Sequence, residues 1–224
     1  MANRDQKNAF LEGEADRWFA RNAERLADFG DRRRCDEVVA ALSGMDLKIG
    51  RIAEIGCADG WRLDMLRRRF GAACSGIDPS AEAVSSGRKR YPALDLQVAT
   101  ADRLPFASSA FDVVIFGFCL YLCDREDLFR IAAEADRVLT ANGHIVIYDF
   151  IATFPYRNAY SHLPGLFSYK MDYAQMFLWN PAYRLIYQKL FSHGGVSDLT
   201  DIDNRLSVSV LGRNDAAAYP DNPY

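Results

Sequence analysis

The segment Arg51-Ile52-Ala53-Glu54-Ile55-Gly56-Cys57-Ala58-Asp59-Gly60 constrains this chain more than any other. A short apolar run ends in an acidic residue, and a turn with glycines at 56 and 60 then opens an amphipathic helix. The pattern reads as strand, tight loop and helix N-terminus. Glycine lets a backbone approach a ligand closely, and the free N–H groups at a helix start favour electron-rich ligand groups. Alone, such a loop is a weak nucleotide-site signal. It strengthens because the next strand, Ala73-Cys74-Ser75-Gly76-Ile77, ends in Asp78, where a carboxylate can receive two ribose hydroxyls. Asp is also a good helix N-cap, so capping the helix that starts at Pro79 is the plain alternative role.

The rest of the first 150 residues repeats this alternation. Helices are predicted over Glu12–Phe29, Arg33–Leu42, Trp61–Phe70, Pro79–Tyr91 and Arg125–Leu139 from their apolar stripes and stops. Strands are predicted over Leu94–Val98, Phe111–Phe118 and His144–Phe150, the last entered through an Asn142-Gly143 turn. Strand–helix alternation implies a parallel sheet covered on both faces, joined by right-handed crossovers. After Phe150 the pattern changes. Residues 151–183 are rich in aromatics and interrupted by Pro155, Pro164 and Pro181, which reads as an inserted lid, loop first and then a helix over Lys170–Leu178. Leu185–Ser192 and Arg205–Leu211 read as two final antiparallel strands, followed by a short polar tail. The expectation is a single α/β domain over 1–224, with an N-terminal helical cap over 1–45, a core over 48–150, the lid over 151–183 and C-terminal strands over 184–212.

Composition excludes several classes. With 27 basic and 30 acidic residues the net charge is −3, which gives no bulk attraction to nucleic acid. The two arginine triplets, Arg32-Arg33-Arg34 and Arg67-Arg68-Arg69, read as solvated helix faces. The polar first ten residues and the lack of a long apolar run argue against a signal peptide and a membrane span. The five cysteines (35, 57, 74, 119, 123) lack paired metal spacing and read as reduced thiols, so a cytoplasmic protein without a metal is expected.

Five ordered segments resemble the class I S-adenosylmethionine-dependent methyltransferases, of the small-molecule, type 11-like kind. They are Glu54–Gly60, with alanine at 58 where glycine is common; Gly76–Ser80; Thr100–Phe106 followed by Phe111–Val114; and Arg137–Ile147, which resembles the family's approach to its fifth strand. The resemblance covers about residues 48–150. It implies a Rossmann-like, doubly wound sheet of seven strands, mostly parallel, with an antiparallel C-terminal hairpin. It also implies S-adenosylmethionine as cofactor, S-adenosylhomocysteine as product, and a small-molecule acceptor methylated on oxygen or nitrogen, such as a sugar or secondary metabolite. By the same resemblance, Gly56 and Ala58 pack against the homocysteine part, Gly60 opens the helix and Glu54 meets the ammonium. Asp78 meets the ribose, and Thr100 or Asp102, with the Ala101 N–H, meets the adenine. Phe118 and Cys119 offer backbone carbonyls to the ammonium. A monomer or homodimer is expected.

Methyl transfer needs alignment and dryness more than acid–base help, but a hydroxyl acceptor benefits from a base. His162 is the candidate base, on a lid loop with Tyr160, Tyr169 and Tyr173 as further lid residues; a surface or packing histidine is the alternative. Tyr121, Asp149 and Tyr169 are weaker base candidates that read as structural; His144 starts a strand far from the site, and His193 sits in the hairpin loop. Asp221-Asn222-Pro223-Tyr224 resembles the box of amino-methylating nucleic-acid enzymes but lies in the tail, not after the fourth strand, so it is rejected. Gly13–Asn22 loosely resembles the start of bacterial methyltransferases of surface-sugar biosynthesis. Two other readings compete. A nicotinamide-dependent oxidoreductase requires G-x-G-x-x-G, where this chain has G-x-A-x-G and no Tyr-x-x-x-Lys pair. A non-catalytic binding or regulatory protein on the same fold is opposed by intact Glu54, Gly60 and Asp78.

Overall fold

A computed structural model of the chain describes residues 5–31, 36–193 and 198–222. The arginine triplet at 32–34, Cys35, the expected helix start at Arg33 and the tail residues Pro223 and Tyr224 lie outside the described residues.

Seven strands form one sheet in the order β3-β2-β1-β4-β5-β9-β8. They are β1 (Arg51–Ile55), β2 (Ala73–Asp78), β3 (Asp95–Val98), β4 (Phe111–Gly117), β5 (Leu139–Phe150), β8 (Tyr183–Ser192) and β9 (Arg205–Arg213). The first five run parallel; β9 pairs antiparallel with both β5 and β8. The order reverses at β1, which is flanked by β2 and β4, and an open α/β sheet binds ligands beyond the strand C-termini at such a switch.

Alternation along the central strands sends apolar side chains to both faces. Ile52, Val113, Ile115, Val146 and Val208 pack with α3 (Glu37–Ser43), α4 (Trp61–Phe70) and α5 (Ala81–Arg90). Ala53, Ile55, Val114, Phe116 and Ile147 face the other way, onto α6 (Leu128–Val138). Each fully buried side chain of this size contributes roughly 1.5–3 kcal/mol of burial, which explains the three-layer form. Local signals set the helix ends. Gly60 and Gly71 bracket α4 in the left-handed region, at φ 81° and 67°. The Asp36 carboxylate caps α3 through Val38 N and Val39 N at 3.0 and 3.1 Å. Among the described residues, no helix is long and apolar enough to cross a membrane.

Three expectations change. The first long helix does not run unbroken from Glu12. The chain begins with α1 (Gln6–Ala9), widens through a turn at Phe10–Glu14, where Gly13 has φ 127°, and continues as α2 (Ala15–Asp31). The lid is not a loop and a long helix. Tyr156–Ala159 (β6) and Phe167–Lys170 (β7) pair as an antiparallel hairpin, and α7 is only Gln175–Leu178. Aromatic side chains pack well on a pleated ribbon, and the Arg157 guanidinium lies 3.9 Å from the Phe167 ring centre across the pair. The lid also divides. The hairpin covers the strand C-termini, whereas Tyr173, Ala174, Phe177, Ala182 and Tyr183 join the packing on the α6 face.

Helix α5 lies so close to the β1–α4 loop that a Cβ on Gly87 would sit 2.8 Å from the Asp59 carbonyl carbon and 2.6 Å from Leu96 Cδ1. Gly87→Ala should therefore destabilise the fold by about 1–3 kcal/mol, as overpacking does. Urea unfolding reads this as a lower midpoint with an unchanged slope; an unmoved midpoint would show that α5 can retreat freely.

Candidate active site

The β1–α4 loop is held open by backbone geometry. Gly56 (φ 76°), Ala58 (φ 48°) and Gly60 (φ 81°) are all left-handed. Gly56 also admits the turn after β4, because a Cβ there would sit 2.6 Å from Cys119 Cβ. The Gly56 and Cys57 N–H groups both donate to the Ile77 carbonyl, at 2.8 and 3.0 Å. Asp78 completes the tie. Its Oδ2 accepts from Ala58 N and its Oδ1 from Ser80 N, each at 2.9 Å. The cap of α5 is Ser80, whose Oγ accepts from Ala83 N at 3.0 Å. Asp78 is thus not the N-cap, and each of its oxygens retains acceptor capacity.

Glu54, 1% exposed, is the penultimate residue of β1. Its Oε1 pairs with Arg62 Nη1, and its Oε2 is buried with no hydrogen-bond partner. Arg62 reaches back to Asp36 at 3.1 Å and lies against two rings, 4.9 Å from Trp61 and 5.0 Å from Tyr148. Burial pushes Glu54 up to about 7, against the pull of Arg62. An unpaired buried oxygen is costly unless a ligand donor reaches it. The chemistry of this donor-poor pocket therefore fits an ammonium.

Two chambers open at the strand C-termini. The first is lined by Gly56, Ala58, Asp78, Thr100, Ala101, Asp102, Phe118 and Cys119, with Gln6, Lys7 and Phe10 contributed by the N-terminal segment. The second is lined by Glu54, Trp61, Arg62, Tyr121, Tyr148, Phe150, Tyr160, His162, Lys170 and His193. Trp18, Gly56, Ala58, Gly117 and Phe118 belong to both, so the chambers meet at the glycine loop.

Most of the residues singled out in the sequence meet here. Asp102 is already engaged, with Lys7 Nζ at 3.0 Å, and against its burial that ammonium holds it below the ordinary carboxylate range. Thr100 hydrogen-bonds the same carboxylate. The Cys119 carbonyl accepts from Leu122 N at 3.1 Å, so it already has a partner. Phe118 takes φ 67°, and its ring meets Tyr121, Tyr148, Phe150 and His193. Tyr160 is buried, bonded through its hydroxyl to Glu14 and Arg21. His162 is exposed, edge-on to Tyr160.

Two lid residues do not join them. Tyr169 and Tyr173 line neither chamber; Tyr173 is 1% exposed in the α6-face packing, its hydroxyl donates to the Tyr169 carbonyl at 3.0 Å, and Arg125 lies against both rings. By Tyr173 the chain has crossed to the far face of the sheet. Sequence reasoning missed Arg62, Lys170 and the proximity of His193, none of which carries a local signal. Asp149 proves to be a scaffold: Leu120 N and Phe150 N donate to it at 2.8 and 2.7 Å. Among the described residues no group of three or more His, Cys, Asp or Glu is placed to hold a metal ion.

Burial raises Asp78 to about 6 and Asp149 to about 7, in each case against backbone N–H donors, from an ordinary 3.8. Both therefore bind protons more tightly folded than unfolded. The stability this confers is complete below the unfolded value and is lost as pH rises through the folded one. Ligand-free protein should thus become less stable in urea from about pH 5 to about pH 7.5. A rising or flat profile over that window would contradict the burial of these carboxylates.

Residues 53–147 match the model of a methyltransferase domain family. The ubiquinone/menaquinone biosynthesis C-methyltransferase of Desulfotalea psychrophila is 30% identical over 128 residues, 56% of this chain and 51% of that one. The demethylmenaquinone methyltransferase of Chlorobaculum parvum is 32% identical over 120 residues, 49% of this chain and 48% of that one. The chain thus spans about half the length of the curated relatives it matches. Among solved structures, the Burkholderia thailandensis 1,6-didemethyltoxoflavin-N1-methyltransferase, with 1,6-didemethyltoxoflavin and S-adenosylhomocysteine bound, superposes with a TM-score of 0.67 at 13% identity, covering 93% of this chain and 89% of that one. A Mesorhizobium loti S-adenosylmethionine-dependent methyltransferase gives 0.60 at 14% identity, covering 80% and 98%. The matched core, residues 53–147, is thus similar to a methyltransferase domain family, and the chain shares the fold of these solved methyltransferases.

Proposed function

We propose that this chain transfers a methyl group from S-adenosylmethionine to a small, ring-shaped acceptor held in the second chamber. The observation that carries the reading is the junction at Gly56, Ala58, Gly117 and Phe118, shared by both chambers. A cofactor in the first chamber, with Asp78 and Thr100 along one part and the orphaned Glu54 oxygen beyond the junction, presents its centre to the second. When bound, S-adenosylmethionine supplies a methyl group already activated on a sulfonium sulfur. The protein's task is alignment and exclusion of water. Trp18 and the N-terminal segment supply the cover: Gln6 N and Lys7 N donate to the Asp124 carboxylate at 3.0 and 2.9 Å, and Gln6 Nε2 donates to the Leu122 carbonyl at 2.7 Å.

The acceptor is a planar ring rather than a sugar. Trp61, Phe118, Tyr121, Tyr148, Phe150 and Tyr160 wall the second chamber, and such walls favour flat apolar faces. The curated relatives, named for methylation in quinone biosynthesis, support a ring-shaped acceptor, and one of them is named a C-methyltransferase.

The test has two parts. Calorimetric titration should show S-adenosylmethionine and S-adenosylhomocysteine binding, and dinucleotides failing to bind. Asp78→Ala removes charge-assisted hydrogen bonds of about 1.5–3 kcal/mol and should weaken cofactor binding roughly tenfold or more. Unchanged affinity would take Asp78 out of the site. Product mass spectrometry on a panel of hydroxylated naphthalenes, catechols and sugar nucleotides should then find methylated aromatic products. Cofactor binding with no product from any of them would favour the non-catalytic reading.

A further inference from the structure

We propose that His193 and Lys170 act together on the acceptor: His193 takes the proton of a ring hydroxyl, and Lys170 holds the resulting oxyanion. The inference rests on the methyl-transfer reading above and deepens it, naming the acceptor as a phenol or enol that reacts ionised.

The argument begins with the charge on Lys170. This residue ends β7, is 5% exposed and lines the second chamber. Its ammonium lies 4.0 Å from the centre of the Phe150 ring and donates to the Asp203 backbone carbonyl. Its one ion-pair partner among the described residues is Asp203 Oδ1, at 3.5 Å. That carboxylate is itself exposed and shared with Tyr156 Oη and Asn158 Nδ2, at 2.9 and 2.8 Å. The cation is therefore inside and its counter-ion outside. Burial outweighs Asp203 and lowers the Lys170 pKa, as expected for an ammonium whose charge is incompletely matched. A buried cation in that position is an anion site.

His193 stands across the same ring. It follows β8 at the hairpin end, where its backbone N–H donates to the Asn204 carbonyl at 2.7 Å. The imidazole stacks on Phe118, with centres 5.8 Å apart and planes 20° apart, and lies 6.2 Å from Phe150. Phe118 borders both chambers, so His193 stands beside the junction, whereas His162 is exposed at Tyr160. Burial, with Arg25 of α2 and Lys170 of β7, lowers the His193 pKa, so the ring is neutral and able to accept at neutral pH. The carboxylates that bear on Lys170 from neighbouring elements are Asp203, Asp201 and Asp149, and the last is committed to backbone donors.

The step balances within the pocket. The acceptor O–H bond breaks and leaves its electron pair on oxygen. The proton bonds to an imidazole nitrogen of His193, and the new oxyanion faces the Lys170 ammonium. The imidazolium later returns its proton to water.

The test uses the full chain saturated with S-adenosylhomocysteine and titrated with 4-nitrophenol, whose phenolate has its own visible absorbance. An ammonium within reach should lower the bound phenol's apparent pKa by about 1 unit or more. Lys170→Met should abolish that shift and Lys170→Arg should keep it. Nitrobenzene, of the same shape without the hydroxyl, should bind at least about tenfold more weakly, which tests the anion site on the unmodified protein if a variant fails to fold. On an acceptor found with the panel above, His193→Gln should lower turnover by about 100-fold or more, erase the acidic limb of the pH–rate profile, and cost more than His162→Ala does. If S-adenosylhomocysteine does not bind the unmodified protein, methyl transfer itself is refuted. If it binds but nitrophenol is not bound or keeps its solution pKa, or if His193→Gln leaves the pH profile intact, the His193–Lys170 pair is refuted and the methyl-transfer reading survives.

Discussion

The Asp78 carboxylate, bridging Ala58 N and Ser80 N, is the interaction on which the site depends. It ties the loop after β1 to the start of α5 and fixes three left-handed residues in a row of alternate positions. Without that bridge the Ala58 N–H would need another acceptor in a loop with few, and an unmet buried donor costs more than a typical hydrogen bond gains. Ala58 makes the dependence sharper. An alanine at φ 48° is disfavoured by its Cβ, so the bond to Asp78 helps to hold it there. In the proposed function, ligand contact and loop brace are therefore the same residue.

The N-terminal segment and the lid close the same opening from two sides. Gln6 illustrates the coupling: its amide donates to Leu122 O and its carbonyl accepts from Phe167 N, at 2.7 and 2.9 Å. One side chain thus joins the strap, the turn after β4 and the lid hairpin. Lys7 adds a second tie, to Asp102 and Asp127 at 3.0 and 2.7 Å. These contacts surround the first chamber, so admission of a nucleoside-sized ligand has to disturb some of them. The second chamber is walled by rings and by side chains from α2, β7 and the β8–β9 hairpin, elements that the parallel core does not contain.

How much of this was legible follows from the range of each interaction. The strand–loop–helix at 51–70 and the strand ending at Asp78 are local patterns: apolar period, glycine where φ is positive, cap residues. They appear where the sequence placed them. The lid hairpin depends on Tyr156–Ala159 finding Phe167–Lys170, a pairing between two short segments that no periodicity announces. Tyr173 sits among lid aromatics in sequence, yet a few residues beyond β7 the chain has passed to the α6 face. His193 carries no site signal because the hairpin loop is distant in sequence from the glycine loop; Phe118 and Phe150 bring it to the junction. Arg62 carries no local signal among the charged positions of α4, and α3 and the Asp36 cap close over it.

Arg62 also settles how such a site can carry so many acids. Glu54, Asp36 and Asp78 are three carboxylates set against one buried guanidinium, and both Asp36 and Asp78 act on Glu54 in the direction of protonation. Removing Arg62 would leave two of them unpaired, a change that typically costs about 3–5 kcal/mol in a buried ion pair. Keeping it leaves the cluster short of positive charge. A ligand bearing an ammonium and a sulfonium supplies what is missing, and it can do so without displacing Arg62, because the guanidinium holds Oε1 of Glu54 while Oε2 has no partner. In the proposed function the same cluster therefore serves two states: ligand-free, it is held together by Arg62 at a cost borne by the raised pKa values of Glu54 and Asp78; ligand-bound, the cationic cofactor offsets that cost and makes its own binding more favourable.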